Sequence, residues 1–258
     1  MKAPTLLQMI TLRGHTFLPA PIGPGSLVVD LGANTGDFSR QVRARYGCRV
    51  CAVEANPDLV PKVRAIEGVE VIHAAAVGRR GPIEFRLSDD ILASSVCDLR
   101  PGVANGRVVT VEGLTLPDIL ARFGLALSPT GQRLDLLKVD IEGAEVGLIM
   151  NAPDELLRSI DQITLEFHDF CGLNTADEIV QVCRRLKSLG FDGFRFGIDN
   201  TNWLFARRGL KGVGALRRWY ATQLIRNVRN ALHWGRGKLG LHNLGLGDDH
   251  APQAPAAS

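Results

Sequence analysis

The residues best suited to chemistry lie in Leu137-Lys138-Val139-Asp140-Ile141-Glu142-Gly143-Ala144-Glu145, where an apolar run ends in three acids within six positions. Strand alternation puts Lys138 and Asp140 on one face, with Asp140 at the carboxyl end, where open α/β sheets bind ligands. Glu142 and Glu145 also suit the positive start of a helix, a reading that covers Glu145 comfortably and Asp140 poorly. Ile163-Thr164-Leu165-Glu166-Phe167-His168-Asp169 repeats the logic on a following strand, with Glu166 and His168 sharing a face at its end. A histidine two residues from a glutamate, next to Asp140, reads as a general base or as a metal ligand in company with those carboxylates.

A second group reads as a cofactor cradle. Asp30-Leu31-Gly32-Ala33-Asn34-Thr35-Gly36 follows a buried strand and opens a helix. Gly32, lacking a Cβ, would let a ligand approach the backbone, and Gly36 would turn the chain into a helix whose free N–H groups attract polar or anionic atoms. Asn34 stands where a dinucleotide fingerprint has its second glycine, which disfavours a pyrophosphate and with it an NAD-dependent oxidoreductase. Glu54, with Ala55 and Asn56 behind it, ends the next strand eighteen positions after Gly36, where an acid can accept both ribose hydroxyls. Ribose without pyrophosphate points to an adenosyl ligand.

The elements that must position these groups alternate between β-type runs and helical patterns over residues 25–208, the signature of a mostly parallel α/β sheet. Strands are expected at Leu27–Leu31, Arg49–Ala55, Val69–Ile72, Leu134–Val139, Ile160–Phe167 and Trp203–Ala206, and a hairpin from Ile83–Leu87 and Val108–Val111. Phe38, Val42 and Tyr46 mark a helix stopped by Gly47, and Thr175 to Glu178 is a capping box that opens another, ended by Gly190. Before this body, residues 1–24 have Leu6, Leu7, Ile10 and Leu12 at loosely helical spacing and predict a short helix. After it, residues 209–250 predict a basic amphipathic helix, with Leu216, Tyr220, Leu224, Val228 and Leu232 four apart and arginines around them. Residues 251–258 have the Ala/Pro composition of a disordered tail.

Composition narrows the class. With 45% hydrophobic and 22% charged residues, the 258-residue chain can bury a core. No apolar stretch is long enough to span a bilayer, so a soluble cytoplasmic protein is expected, peripheral at most to the inner face of a membrane. The net charge of +3 conceals a division: Met1 to Ala206 has 21 basic and 25 acidic residues, whereas Arg207 to Gly247 has nine basic and none acidic. Such a segment suits an anionic membrane surface through residues 209–240, or a helix packed on the body with its arginines in water. The acidic body argues against nucleic acid. Five cysteines without a second closely spaced pair make Cys48 and Cys51 buried thiols rather than a zinc or redox site.

The blocks from Val29 to Ser39, Val53 to Pro57, Lys138-x-Asp140-x-Glu142-Gly143-Ala144-Glu145 and Leu165 to His168 resemble the FkbM-type S-adenosylmethionine-dependent methyltransferases over about Gly25 to Ala206. The resemblance implies a class I methyltransferase fold: a doubly wound, Rossmann-like, seven-stranded sheet with one antiparallel strand. It implies methyl transfer from S-adenosylmethionine to a hydroxyl of a sugar, glycolipid or polyketide-type acceptor. Gly32, Asn34 and Gly36, with Asp30 and Ala33 in the same loop, would lie along the methionine part of the cofactor. Glu54, with Ala55 and Asn56, would hold the ribose, and Asp140 would face the transfer site.

On that basis His168 or Asp140 would take the acceptor proton, with Glu166 and Glu142 orienting it or helping to hold a divalent cation that acidifies the hydroxyl. The rival readings are an RNA methyltransferase that uses the basic tail and a non-catalytic module for membrane or partner interaction.

Overall fold

The computed structural model describes residues 9–87, 107–168, 173–196 and 201–223. Arg13 and Gly14 both take positive φ, 50° and 87°, the two-residue turn whose twist matches paired strands. The chain therefore doubles back, β1 (Ile10–Leu12) against β2 (His15–Phe17), with Leu12 opposite His15 and the Thr11 and Thr16 hydroxyls 2.8 Å apart. Over residues 10–17 this hairpin stands where the short helix of residues 1–24 was expected. The β-branched threonines and the Arg13-Gly14 turn outweigh a weak helical spacing, and Leu6 and Leu7 lie outside the described residues.

The body follows in order: β3 (Leu27–Leu31), α1 (Asp37–Tyr46), β4 (Arg49–Glu54), α2 (Val60–Arg64), β5 (Val69–His73), β6 (Ala75–Ala76), β7 (Gly81–Arg86), β8 (Val108–Leu114) and α3 (Leu116–Arg122). Then come β9 (Leu136–Val139), α4 (Glu145–Asn151), α5 (Asp154–Arg158), β10 (Gln162–Glu166), α6 (Ala176–Ser188), β11 (Phe191–Phe196) and β12 (Asn202–Arg207). The main sheet has seven strands in the order β11-β12-β10-β9-β3-β4-β5, and only β12 runs against the others. From the central β3 the chain winds out through β4 to β5, then returns to lay β9 on the other side of β3. The carboxyl ends of β3 and β9 therefore flank the switch point where such sheets open a crevice. The hairpin expected from Ile83 and Val108 forms as β7 and β8, joined by β6 in a separate three-stranded sheet.

β11 had no counterpart among the expected strands, because Gly190 and Gly193 punctuate its sequence like a loop. Gly193 instead lies beneath the Phe205 ring, where an added Cβ would come within 2.9 Å. The chain directions seen in α1 and α6 follow their end signals: Gly47 caps α1 in the left-handed region and Thr175 with Glu178 forms the box that starts α6.

The two faces of the sheet differ in chemistry. Val29, Leu31, Val53, Leu137, Val139 and Leu165 pack with Ile119, Leu148, Val182 and Leu186 from α3, α4 and α6 in the main core. On the other face Asp30, Lys138 and Thr164 align across β3, β9 and β10. This face is covered by α1 and the hairpin, whose Phe17 ring meets Phe38 and Tyr46 edge-on. The buried Gln162 amide anchors the hairpin's exit: its Oε1 accepts from Leu18 N at 2.8 Å and its Nε2 donates to Leu18 O at 3.1 Å. Cys48 and Cys51 are free thiols fully buried in the body, and burial pushes Cys51 up to about 12.

The chain divides into two compact units, Met1–Ala215 and Leu216–Ser258. Residues 213–223 are helical, the start of the helix expected in the basic segment; Leu224, Val228, Leu232 and the tail lie outside the described residues. Among the described residues no helix is long and apolar enough to cross a membrane. Gln162→Leu should cost about 2–4 kcal/mol of stability in urea unfolding, because it strands a buried N–H and a buried carbonyl of Leu18 together.

Candidate active site

The loop after β3 is strongly bent, with Gly32, Asn34 and Gly36 at φ 77°, 53° and 79°. The N–H groups of Gly32 and Ala33 both donate to Val53 O at 3.0 Å, which fixes the loop to the end of β4. A Cβ on Gly32 would sit 1.8 Å from the Asp140 carbonyl oxygen. Glycine is thus required there so that the end of β9 can close against this loop, and not only for the ligand approach expected from sequence. At Gly36 a Cβ would lie 2.4 Å from Ile66 Cδ1, so that position too serves chain packing.

One cleft opens at the switch point, about 590 Å³ including its mouth. It is lined by Gly32 and Asn34 from the first loop, Glu54 to Asn56 after β4, Ala74 to Ala76 and Phe85 from the small sheet, and Asp140 to Glu142 after β9. The Glu54 carboxylate is buried and accepts Asn34 N on Oε2 at 2.6 Å and Asn56 N on Oε1 at 2.7 Å. Burial outweighs those two hydrogen bonds and the Lys138 charge, and raises Glu54 to about 7. Each carboxylate oxygen keeps a lone pair for a further donor. Asn34 Oδ1 is buried without a hydrogen-bond partner, on a residue that lines the cleft.

Asp140 is the junction of a buried charge network. Lys138, 3% exposed, reaches Asp30 Oδ1 at 3.1 Å, Asp140 Oδ2 at 3.5 Å and Gly32 O at 2.6 Å. His15, from the hairpin, contributes Nε2 3.3 Å from Asp140 Oδ2. Burial opposes ionisation of Asp140, but Lys138 first, then His15 and His168, hold its carboxyl well below the ordinary range. Glu166 lies beside Asp140 across β9 and β10, and burial together with the Asp140 charge raises its carboxyl.

His168 is enclosed by acids: Nδ1 is 2.9 Å from Glu145 Oε1, and Nε2 is 3.4 Å from Glu142 Oε2 and 3.7 Å from Asp140 Oδ1. Burial favours the neutral ring, yet Glu145, Glu142 and Asp140 outweigh it and raise His168 to about 9. Glu145, fully buried at the start of α4, also accepts Ile141 N and Gly143 N at 3.1 Å, so it holds the turn in which Glu142 takes φ 52°. The same carboxylates that hold His168 toward the imidazolium form also fix the ring between them.

Residues 30–192 match the methyltransferase FkbM domain. The chain belongs to the FkbM methyltransferase family. A segment of the AMB antimetabolite synthetase AmbE of Pseudomonas aeruginosa is 25% identical over 232 residues, covering 72% of this chain and 11% of that protein. The chain thus spans about a tenth of that relative's length. Among solved structures it is similar to the precorrin-6y C5,15-methyltransferase of Geobacter metallireducens, at 12% identity and TM-score 0.41 over 72% of this chain and 80% of that one. It is also similar to a TehB-like S-adenosylmethionine-dependent methyltransferase of Corynebacterium glutamicum, at 12% identity and TM-score 0.39 over 73% and 84%.

The sheet carries the strand arrangement that the family implies, and the FkbM domain is an S-adenosylmethionine-dependent methyltransferase domain. Its cleft brings together Gly32, Asn34, Glu54, Ala55, Asn56, Asp140 and Glu142. Asp30, Ala33, Gly36, Glu166 and His168 do not line it. Asp30 lies beneath, fully buried between Lys138 and the Ser39 hydroxyl at 2.7 Å, and Ala33 packs with Ala52 and Val63. Two groups of donors converge on Asp140 within 4.8 Å of one another, His15-Asp140-Glu166 and Asp140-Glu142-His168. Their imidazole and carboxylate atoms suit a divalent ion once His168 gives up its proton.

His15 was missed by sequence reasoning because a lone histidine in an expected helix carries no signal; only the Arg13-Gly14 dipeptide hinted at the turn that delivers it. Glu145 was read as a helix-start charge, and nothing local foretells its contact with His168. For His168, a folded-state value above the ordinary 6.5 means stability fully present below about pH 6.5 and lost as pH rises through about 9. Urea unfolding stepped from pH 6 to pH 10 should show that decline, and His168→Gln should flatten it.

Proposed function

We propose that the FkbM domain is an O-methyltransferase that holds S-adenosylmethionine in this cleft and methylates a hydroxyl of a sugar, glycolipid or related natural-product acceptor. The observation that carries the reading is a single cleft lined both by a ribose-type acid, Glu54, and by the carboxylates Asp140 and Glu142. A natural-product acceptor is supported by the similarity to a segment of an antimetabolite synthetase.

S-adenosylmethionine supplies an electrophilic methyl group, so the protein has to align an oxygen and receive a proton. Glu54 accepts the ribose hydroxyls on the lone pairs that Asn34 N and Asn56 N leave over. Asn34 Oδ1, unsatisfied by the protein, accepts from the amino-acid end. Asp140, kept ionised by Lys138, His15 and His168, accepts the acceptor hydroxyl and orients it. It is a weak base for the same reason. Glu166, raised and adjacent, is better matched to take the proton, while Glu142 completes the negative rim. We further read residues 209–240 as meeting an anionic membrane surface, because nine basic residues and no acid lie between Arg207 and Gly247.

Asp140→Asn should lower methyl transfer by about 100-fold or more while S-adenosylhomocysteine still binds in calorimetry; unchanged turnover would remove Asp140 from the mechanism. Because free Glu54 sits near 7 and hydroxyl donors favour its ionised form, binding of S-adenosylhomocysteine at pH 6 should release a proton. Calorimetry in buffers of different ionisation enthalpy measures that release, and Glu54→Gln should abolish it along with most of the affinity. Charge reversal at Arg217, Arg218, Arg226 and Arg229 should abolish cosedimentation with anionic liposomes; equal binding would refute the membrane reading.

A further inference from the structure

A second groove lies away from the cleft, between α6 and the β12 end of the sheet. Ala176, Ile179, Val180, Cys183, Arg184 and Lys187 follow one another at helical spacing along one stripe of α6, about 16 Å long. Phe167, Trp203 and Arg195 form the other wall, and the groove encloses about 820 Å³ including its opening.

Its floor is aromatic and apolar. Trp203 stands edge-on to Phe167 and stacks on Phe205, and Val180 is 42% exposed, a large aliphatic side chain left in water. The Cys183 thiol is raised to about 11 by burial, as expected of a dry wall. Its rim is cationic. Arg195 lies over the Trp203 ring at 5.1 Å, and Arg184 and Lys187 have no carboxylate within ion-pair distance among the described residues. Among the described residues no acid lines the groove. An apolar trough under three cations is complementary to a molecule that combines one apolar chain with an anionic head, since either half alone would leave the other wall unmatched.

We propose that this groove binds a monomeric single-chain anionic amphiphile, its chain along α6 over Trp203 and its head at Arg184, Lys187 and Arg195. The site shares no lining residue with the cleft and does not depend on the methyl-transfer reading.

The test uses the full chain and three probes below their micelle concentrations: dodecyl phosphate, dodecyl maltoside and inorganic phosphate. Calorimetry should show dodecyl phosphate binding at least tenfold tighter than either of the others, without competition from S-adenosylhomocysteine. Bound amphiphile should slow maleimide labelling of Cys183, read by mass spectrometry. The double variant Arg184→Glu/Lys187→Glu and, separately, Val180→Asp should each weaken binding at least tenfold. All three positions are exposed, and unchanged unfolding transitions would confirm that the variants fold. Equal binding of the maltoside and the phosphate, no binding of either, or no effect of the variants would overturn the proposal.

Discussion

The arrangement of the catalytic end of this molecule depends on one buried cation. Lys138 projects from β9 into a layer closed by α1 and the hairpin, where an unpaired ammonium would lose several kcal/mol of hydration. It is kept charged by Asp30 and Asp140, which outweigh burial and raise its pKa, and by the Gly32 carbonyl at 2.6 Å. Those three contacts join β9 to β3 and to the cofactor loop. They also explain why Gly32 has no side chain: the Asp140 carbonyl closes directly on it. The cleft is thus shaped by the same interaction that holds its central carboxylate ionised.

Around that core the site alternates in charge. Lys138 and His168 stand between Asp30, Asp140, Glu142, Glu145 and Glu166, so that among the described residues each of these acids but Glu166 meets one of the two within 4 Å. The exception has physical meaning. Glu166 borders Asp140 with no ion pair of its own among the described residues, and burial together with the Asp140 charge raises its carboxyl. The protein also accepts backbone strain there: Glu142 takes a left-handed φ of 52°, uncommon for a residue with a side chain, and Glu145 holds the turn by accepting two of its N–H groups. In the proposed reaction, rigid positioning of an ionised Asp140 would separate the task of orienting an acceptor from that of deprotonating it.

The hairpin ties the N-terminal segment to this chemistry. Gln162 holds its exit, Phe17 packs against α1, and the strand pairing leaves His15 at 1% exposure against Asp140. A segment that lies before the matched domain thereby supplies one of the contacts that hold Asp140 in the cleft.

Local sequence was enough to mark six of the seven strands of the main sheet and half of the residues that line the cleft. Uninterrupted apolar runs can only be strands buried on both faces, glycines at tight turns announce positive φ, and period-2 alternation places Lys138 with Asp140, so Gly32, Asn34, Glu54, Asp140 and Glu142 could be assigned to one crevice. Tertiary structure alone decided the rest, because the deciding contacts join residues far apart in the chain. His15 meets Asp140 across 125 positions and Glu145 meets His168 across 23. The raised pKa of His168 is a property of three carboxylates gathered by folding, and Asp30 lies beneath the cleft only because α1 closed over it. β11 and the hairpin were hidden for the same reason: weak local preferences yield to partners that exist only once the sheet has formed.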